Sequence, residues 1–509
     1  MKRVRSRPDV NLPELEQILE QARRTPLSDP DYQKLKQALH TLTELLRPVR
    51  NTEKTEAVLT GVKDQVLTEP SASTQKPKPR LGHGRNGAAT FTGARRVAIP
   101  HAQLQSGDPC PACEMGKVYG QKKPKPLVRI IGQAPLAATV YELERFRCNA
   151  CGQVFTAEEP EEVGSDQYDE TTAAMIAQLK YGSGVPFYRL EKLQDSLGIP
   201  LPAATQWEIV EEAAEMMKPA LGELIRQGAQ GEVLHNDDTR MRVLRLTREP
   251  SDERTGVFTS GIVSTRQGQQ IALYFTGRQH AGENLSDVLR ERGSELRSPI
   301  QMCDALARNM PKILADVKVL LANCLAHGRR LFVDLVPNFP AECQYVLEQL
   351  GRVYGYEAET REMTAAEQLQ FHQQHSGPVM EELHGWLENQ LAERKTEPNS
   401  GLGKAITYLL RHWQPLTLFL REKNAPLDNN LVERALKRAV LHRKNSLFYR
   451  TQHGAAVGDL FMSLIHTCEL CRVNSFDYLT ELQRHARELA ASPERWMPWN
   501  YRDTLVQNA

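Results

Sequence analysis

Long apolar runs are missing from this 509-residue sequence, and so is any marked excess of one charge, with 64 Lys and Arg against 63 Asp and Glu. No stretch reaches the roughly 18 apolar residues of a membrane-spanning helix. Charged residues follow the basic start, where a signal peptide needs an apolar segment. We therefore expect a cytoplasmic protein without a membrane partner. The length predicts roughly three to five compact units.

Acidic residues are absent from two segments of this otherwise neutral chain. Residues 71–107 contain six Lys or Arg and no Asp or Glu, and residues 434–450 repeat that pattern. Clustered cations neutralise phosphates, so the two segments favour a nucleic-acid partner. The alternative is that both are solvated loops.

The nine cysteines are too few for a disulfide-rich fold, and four of them form two close pairs. Cys110-x-x-Cys113 and Cys148-x-x-Cys151 flank strand-like stretches at 127–131 and 140–143, which predicts a zinc ribbon closed by four thiolates. Cys468 and Cys471 are expected to be buried helical thiols. Cys324 and His327 are spaced as half of a metal site without local partners, which favours a packing or DNA-positioning role.

Changes in hydrophobic periodicity, together with breaks at Gly and Pro, divide the chain into units of different type. We predict a multidomain α and α/β protein whose core resembles ribonuclease H in the order of its strands and helices. The predicted units are a leucine-rich helical segment (1–48), a basic flexible linker (49–100), the zinc ribbon (101–157), a helical DNA-binding domain (165–228), the first part of the α/β core (229–336), a helical insertion (337–424), the last core helix with C-terminal helices (425–485) and a tail (486–509).

A helix-turn-helix is one interpretation of the helical domain. Three helices are predicted over 171–181, 187–197 and 202–214, and the turn at 198–201 contains a glycine. The second helix of such a motif would place Thr205 and Gln206 at its leading end, where major-groove contacts lie. A plain three-helix bundle fits the same pattern.

Three acids at the ends of predicted elements suggest phosphodiester chemistry. The core reads as three strands, a helix, a strand, a helix and a strand; Asp237 and Asp304 lie at strand ends, and Glu433 lies in the first turn of a later helix. Two Mg²⁺ ions in such enzymes need hard oxygen ligands from rigid elements. Neighbouring strand residues face opposite sides, so either Asp237 or Asp238 can serve, but not both.

Several motifs resemble the insertion-sequence 66 family of bacterial DDE transposases. These are His235-Asn236-Asp237-Asp238, Cys303-Asp304, the 324–332 segment beginning Cys-Leu-Ala-His, and Asp428-Asn429-Asn430-x-x-Glu433-Arg434-Ala435 followed by Arg443-Lys444-Asn445. The likeness covers most of the chain. It departs from the family at Asp238, where glutamate is expected, and after Asp304, where glycine and tyrosine are expected.

The resemblance implies a catalytic triad of Asp237, Asp304 and Glu433 that binds Mg²⁺ or Mn²⁺. It also implies double-stranded DNA as substrate, at the element ends and at the target, with a homo-oligomer assembled on DNA and accessory proteins as further partners. A nucleoid-associated protein in the bacterial cytoplasm is expected. A non-catalytic, domesticated DNA-binding regulator and a metal-dependent nuclease without strand transfer are the alternatives.

Basic residues beside Glu433 are predicted to bind the DNA backbone. On a helix, Arg434, Lys437 and Arg438 share a face next to the carboxylate. Arg443 and Lys444 extend this track.

We predict that the zinc ribbon binds one zinc ion through its four cysteines. Changing Cys148 to Ser should abolish the stoichiometric zinc of the ribbon and loosen residues 101–157, because a module of about 50 residues has too little core without its metal. Elemental analysis of the protein purified without chelator or added metal makes the test. Wild-type protein free of zinc would rule the ribbon out.

Overall fold

The computed structural model describes residues 98, 103–112, 115–120, 133–147, 154–158, 167–246, 254–311 and 318–508. The predicted leucine-rich segment, nearly all of the linker, and Cys113, Cys148 and Cys151 lie outside these residues. The domain boundaries and the zinc ribbon therefore stay predictions. Among the helices described, none combines the length and apolar character that crossing a bilayer requires.

Two short hairpin contacts occur in the predicted ribbon. Strands β1 (Arg145–Arg147) and β2 (Val154–Thr156) pair antiparallel and lie on either side of the second cysteine pair in sequence. Beside the first pair, the Cys110 amide donates to the Gly116 carbonyl at 2.7 Å. The prediction of a strand at 140–143 is wrong, because those residues are irregular and the strand begins at Arg145.

Three helices form the domain after the ribbon, and the last is much longer than predicted. They are α1 (Glu170–Ala177, continued by a π-helical turn over Gln178–Gly182), α2 (Phe187–Ser196) and α3 (Ala203–Ala229). Asp169 caps α1 by accepting from the Thr172 amide at 3.0 Å. Helix α3 runs 27 residues through Pro219 and buries one face against the central sheet and the C-terminal helices.

A five-stranded mixed sheet forms the centre of the protein, which confirms a mixed α/β core. Its strands are β3 (Val233–Arg240), β5 (Phe258–Arg266), β6 (Gln269–Gly277), β7 (Ile300–Cys303) and β8 (Leu320–Asn323), and helix α4 (Ala281–Leu289) connects β6 to β7. The spatial order is β6-β5-β3-β7-β8; β5 is antiparallel to its neighbours, and β7 and β8 are parallel to β3. A helix was expected between β7 and β8; residues 304–311 of this connection contain a 3-10 turn, Ala307–Asn309, and residues 312–317 lie outside the described residues.

A block of helices follows β8 and packs in one apolar cluster with residues of β3, β7 and β8. It comprises α5 (Leu325–Val333), α6 (Pro340–Glu359), α7 (Ala365–Ala392), α8 (Gly401–Arg411) and α9 (Trp413–Leu416). The chain then returns to the sheet with α10 (Asn430–Ser446), β9 (Tyr449–Thr451), which pairs in parallel with β4 (Val243–Arg245), and α11 (Gln452–Leu470). Helices α12 (Ser475–Arg484), α13 (Ala486–Ala491) and α14 (Tyr501–Asn508) complete the chain.

Helix α10 approaches the sheet closely because a glycine faces it. Gly261 of β5 is the register partner of Asp237 on β3. A Cβ atom at Gly261 would lie 3.0 Å from the Leu436 side chain of α10. The missing side chain therefore lets α10 cross the sheet directly beside Asp237.

Asp459 is a buried acid that fastens α11 to β6. Its carboxylate accepts from the Thr276 amide at 2.6 Å and from the Thr276 hydroxyl at 2.7 Å. Burial raises its pKa to about 7, although the bonds from Thr276 act in the opposite direction. The folded protein thus retains a proton that the unfolded chain loses at a lower pH.

Stability should therefore fall as the pH rises from about 4 to about 7 and then level off. Changing Asp459 to Asn removes this titration and keeps both contacts, because an amide can accept from Thr276 N–H and donate to its hydroxyl. The unfolding free energies of variant and wild type should diverge by on the order of 2 to 3 kcal/mol between about pH 5 and about pH 8.

Denaturant unfolding at both pH values measures this difference. The exposed Asp195, changed to Asn, is the matched control and should follow the wild type. Parallel pH profiles for wild type and Asp459→Asn would contradict the assignment.

Candidate active site

Asp237 and Asp304 come together on two neighbouring parallel strands. The register pairs His235 of β3 with Met302 of β7, which places each aspartate two residues further along its own chain. The Asn309 side-chain amide donates to both carboxylates, at 3.2 Å to Asp237 Oδ1 and at shorter range to Asp304 Oδ1. The two acids that the sequence predicted therefore share one hydrogen-bond donor.

The surroundings of Asp237 disfavour the ionised form of its carboxyl group. Burial raises the pKa of Asp237 to about 7, and the charge of Asp304 adds to the effect. Hydrogen bonds from the Asp238 amide, at 2.8 Å, and from Asn309 act in the opposite direction. A buried carboxylate pair of this kind is a suitable oxygen donor set for a divalent cation.

A network of buried amides holds Asn309 in place. The Asn309 carbonyl accepts from Asn236 Nδ2 and from Gln301 Nε2, each at 2.8 Å. The turn packs tightly against α4, because a Cβ atom at Gly282 would lie 2.2 Å from the Met310 carbonyl oxygen. Asn309 and Gln301 were missed in the sequence, since amides have no spacing that marks them as supports of a carboxylate.

Asp238 points to the opposite side of β3, where the His280 and Arg308 side chains contact it. Its Oδ2 lies 2.8 Å from His280 Nδ1, and its Oδ1 lies 3.4 Å from the Arg308 guanidinium. Only 1% of its side chain is exposed. The alternation along the strand left the choice between neighbouring acids open, and it is Asp237 that lies beside Asp304.

Glu433 lies in the first turn of α10, and Asn429 fixes the start of that helix. Asn429 Nδ2 donates to the Asn236 carbonyl at 3.1 Å, and its Oδ1 lies 3.1 Å from His235 Nδ1. Because burial lowers the pKa of His235 to about 4, the ring is neutral and donates through Nδ1. The backbone N–H of Asn429 also donates to Cys324 Sγ at 3.2 Å.

The Glu433 carboxylate lies near Cys324 and His327. In the described part of the chain, these three form the one group of at least three His, Cys, Asp or Glu side chains whose ligand atoms all lie within 4.8 Å of one another. Glu433 does not meet that spacing with Asp237 and Asp304. Cys324 and His327 have no partner nearby in the sequence, as expected; the carboxylate beside them comes from α10, beyond the helical insertion, where local spacing could not show it.

The insertion reaches this site through Tyr408 of α8. Burial raises the pKa of Tyr408 to about 12, and the nearby Asp304 and Cys324 add to the shift. Ala305 forms a backbone hydrogen bond with the tyrosine. Gly328 of α5 allows the adjacent Leu409 to pack closely, since a Cβ atom there would lie 2.6 Å from it.

Three of the predicted DNA-binding residues have other roles. Arg438 is only 17% exposed and pairs with Glu469, because its helix face lies against α11 rather than solvent. Arg443 donates to Thr239 Oγ1 at 3.1 Å and to the Arg240 carbonyl, which ties α10 to the end of β3. Gln206 is fully buried and donates to the Leu201 carbonyl at 2.8 Å, so it stabilises the turn before α3.

Four of the predicted DNA-binding residues retain some exposure. Thr205 is partly exposed near the start of α3. Arg434, Lys437 and Lys444 are exposed along α10, which begins beside the carboxylates. The basic surface next to Glu433 is therefore smaller than the sequence predicted.

Comparison with known proteins gives relatives in one bacterium, Sinorhizobium fredii (strain NBRC 101917 / NGR234). The uncharacterized protein y4jD is 28% identical over 394 residues, which cover 72% of this chain and 73% of the relative. The uncharacterized protein y4qI is 27% identical over 356 residues, or 66% of this chain and 63% of the relative. The uncharacterized protein y4hP is 24% identical over 383 residues, or 70% and 67%.

The model of the family described as "Transposase IS66 family" matches residues 166–457. This range covers more than half of the chain and includes Asp237, Asp304 and Glu433 together with the strands and helix that carry them. The chain therefore belongs to the IS66 family of transposases, as its motifs predicted.

Proposed function

We propose that this protein is a DDE transposase that binds the inverted-repeat ends of an insertion sequence, cleaves the DNA there and joins the 3′ ends to target DNA. Membership of a transposase family implies DNA as the partner. The observation that carries the catalytic proposal is the Asp237 and Asp304 pair, buried and joined through Asn309.

The strand arrangement supports the same conclusion. Numbered by their order in the chain, the five strands of the central sheet lie side by side as third, second, first, fourth and fifth. The second strand is antiparallel to the first, and the fourth is parallel to it, as expected of a ribonuclease-H-like core. In this arrangement the first and fourth strands are neighbours in the middle of the sheet. Their carboxylates therefore rest on the most rigid part of the fold, which two-metal chemistry requires.

The donor set fits Mg²⁺ or Mn²⁺, which prefer hard oxygen ligands. Asp237 and Asp304 would hold the ions, with Glu433 as third ligand after its side chain turns away from His327. Such ions activate the attacking oxygen and stabilise the leaving oxygen of the phosphodiester.

The chain's own groups position these ligands and the DNA. Asn309 orients both aspartates, and Asn429 fixes the helix that presents Glu433. Arg434 and Lys437 follow Glu433 on α10 and remain exposed to bind backbone phosphates. Lys444 extends this contact toward the end of the helix.

The triad should be essential for cleavage but not for folding. Asp237→Asn, Asp304→Asn and Glu433→Gln should each lower Mg²⁺-dependent nicking of a duplex that carries an element end by more than about 100-fold, beyond the range for losing a residue that only orients a ligand. Asn309→Ala, which removes a residue that only orients the ligands, should lower nicking by roughly 10- to 100-fold.

Asp238→Asn is the comparison for Asp237→Asn, because its side chain faces His280 and Arg308 on the other side of the strand. It should lower thermal stability more than cleavage. End binding, measured alongside, should persist in all variants. Wild-type cleavage by Asp304→Asn would contradict the proposal.

The products separate the alternative functions. Joined target molecules indicate a transposase, cleavage without joining indicates a nuclease, and end binding without cleavage by the wild type indicates a regulator. Each outcome is read from one reaction with a labelled element end and an unlabelled target plasmid.

The two lysines of α10 should bind DNA without regard to sequence. Lys437→Ala and Lys444→Ala should each weaken binding to end and random duplexes alike and lower the salt slope of binding by about 1, because each lost phosphate contact releases fewer counterions. The exposed Lys395→Ala variant in the insertion is the control. Arg443→Ala should instead lower stability through its contacts with β3. An unchanged salt slope in both lysine variants would contradict this role.

A further inference from the structure

We propose that Cys324, His327 and Glu433 form a zinc-binding site, distinct from the magnesium site assigned to Asp237 and Asp304 but sharing Glu433 with it. The donors are one thiol, one imidazole and one carboxylate. They come from two helices that meet at the edge of the candidate active site.

The backbone positions these three donors before any ion binds. Cys324 is the residue before α5, and His327 follows in the first turn of that helix. Glu433 lies in the first turn of α10, whose starting amide, Asn429 N–H, points at Cys324 Sγ from 3.2 Å. The spacing of the ligand atoms, all within 4.8 Å of one another, is slightly wider than the roughly 3.4 to 3.7 Å between ligands of a tetrahedral zinc ion. Small side-chain rotations close that gap.

An unpartnered nitrogen points independently to a missing ligand. His327 Nδ1 is buried and forms no hydrogen bond to any described residue. Glu433 Oε1 lies 3.8 Å away, which is too far for a hydrogen bond but suits two ligands of one ion. A buried polar atom without a partner destabilises the folded protein, and a bound ion would remove that cost.

The chemistry of the donors selects zinc over magnesium. Thiolate and imidazole are softer ligands than Mg²⁺ accepts, whereas Zn²⁺ binds sulfur, nitrogen and carboxylate oxygen together. Binding releases the Cys324 thiol proton to water. Side-chain exposures of 29% for His327 and 30% for Glu433 leave a path for the ion and room for a water ligand.

Occupancy of this site would control the other one. A zinc ion on Cys324 and His327 holds the Glu433 carboxylate in its present position, away from Asp237 and Asp304. Zinc should therefore inhibit Mg²⁺-dependent cleavage, a consequence that rests on the proposed function.

Metal titration of the full-length protein tests the site without reference to activity. Co²⁺ is the probe, because a Co²⁺–thiolate bond gives a near-ultraviolet charge-transfer band. Wild type and the control Cys471→Ala should bind one more equivalent of Co²⁺ than Cys324→Ala or His327→Gln, and added Zn²⁺ should displace it. The predicted ribbon is present in all four proteins, so it cancels from the difference.

His327→Gln decides the matter if Cys324→Ala does not fold, since His327 is partly exposed and its replacement leaves the buried thiol in place. Equal Co²⁺ binding by wild type and folded His327→Gln, with identical charge-transfer bands, would overturn the proposal.

The cleavage assay supplies an independent comparison. Zinc added to wild-type protein in excess Mg²⁺ should inhibit nicking, and His327→Gln should require at least about 10-fold more zinc for the same fractional inhibition. A wild type that binds the extra Co²⁺ but never cleaves DNA would contradict the proposed function alone. A wild type that cleaves but lacks the extra Co²⁺ equivalent would contradict the zinc site alone.

Discussion

The candidate site depends on the packing of the start of α10 against β3. One residue, Asn429, bonds the His235 ring, the Asn236 carbonyl and the Cys324 sulfur at once. These partners lie on the central strand and on the segment that leads into α5. Without this contact Glu433 would have no fixed relation to the aspartates or to His327, because its helix enters from the far side of a long insertion. Gly261 makes the contact sterically possible by leaving space for Leu436.

The acids and strands were predictable because they follow local rules. Position near the ends of predicted strands marked Asp304 and the pair Asp237 and Asp238 as candidates, and this rule needs no distant contact. Alternation along the strand showed that only one acid of the pair could serve, and the family resemblance chose Asp237. The contacts that the sequence did not show depend on tertiary neighbours. Arg438 and Arg443 lie on a helix that looks like a free basic face, but Glu469 and the end of β3 occupy them. Gln206 looks like a groove contact at a helix start, yet the preceding turn uses its amide.

Two different sets of ligand atoms meet at one carboxylate in this arrangement. Asp237 and Asp304 offer only oxygen, whereas Cys324 and His327 offer sulfur and nitrogen, and Glu433 lies on the helix that borders both sets. Oxygen-only and mixed donor sets select different ions from the same solution. Tyr408, which links the insertion to Ala305 beside Asp304, brings a third structural unit to this boundary. The insertion is therefore part of the wall of the site.

The position of Glu433 in the chain also orders events during synthesis. A growing chain that has emerged as far as β8 already carries both aspartates, but the helix with the third acid follows only after α5 to α9 have been made. The pairing of Asn429 with His235 spans 194 residues, so it closes late in folding. A nascent or truncated chain thus contains two thirds of the acid set and no means of completing it. The proposed cleavage site would therefore be completed in one step, only after the helix that carries Glu433 has been made.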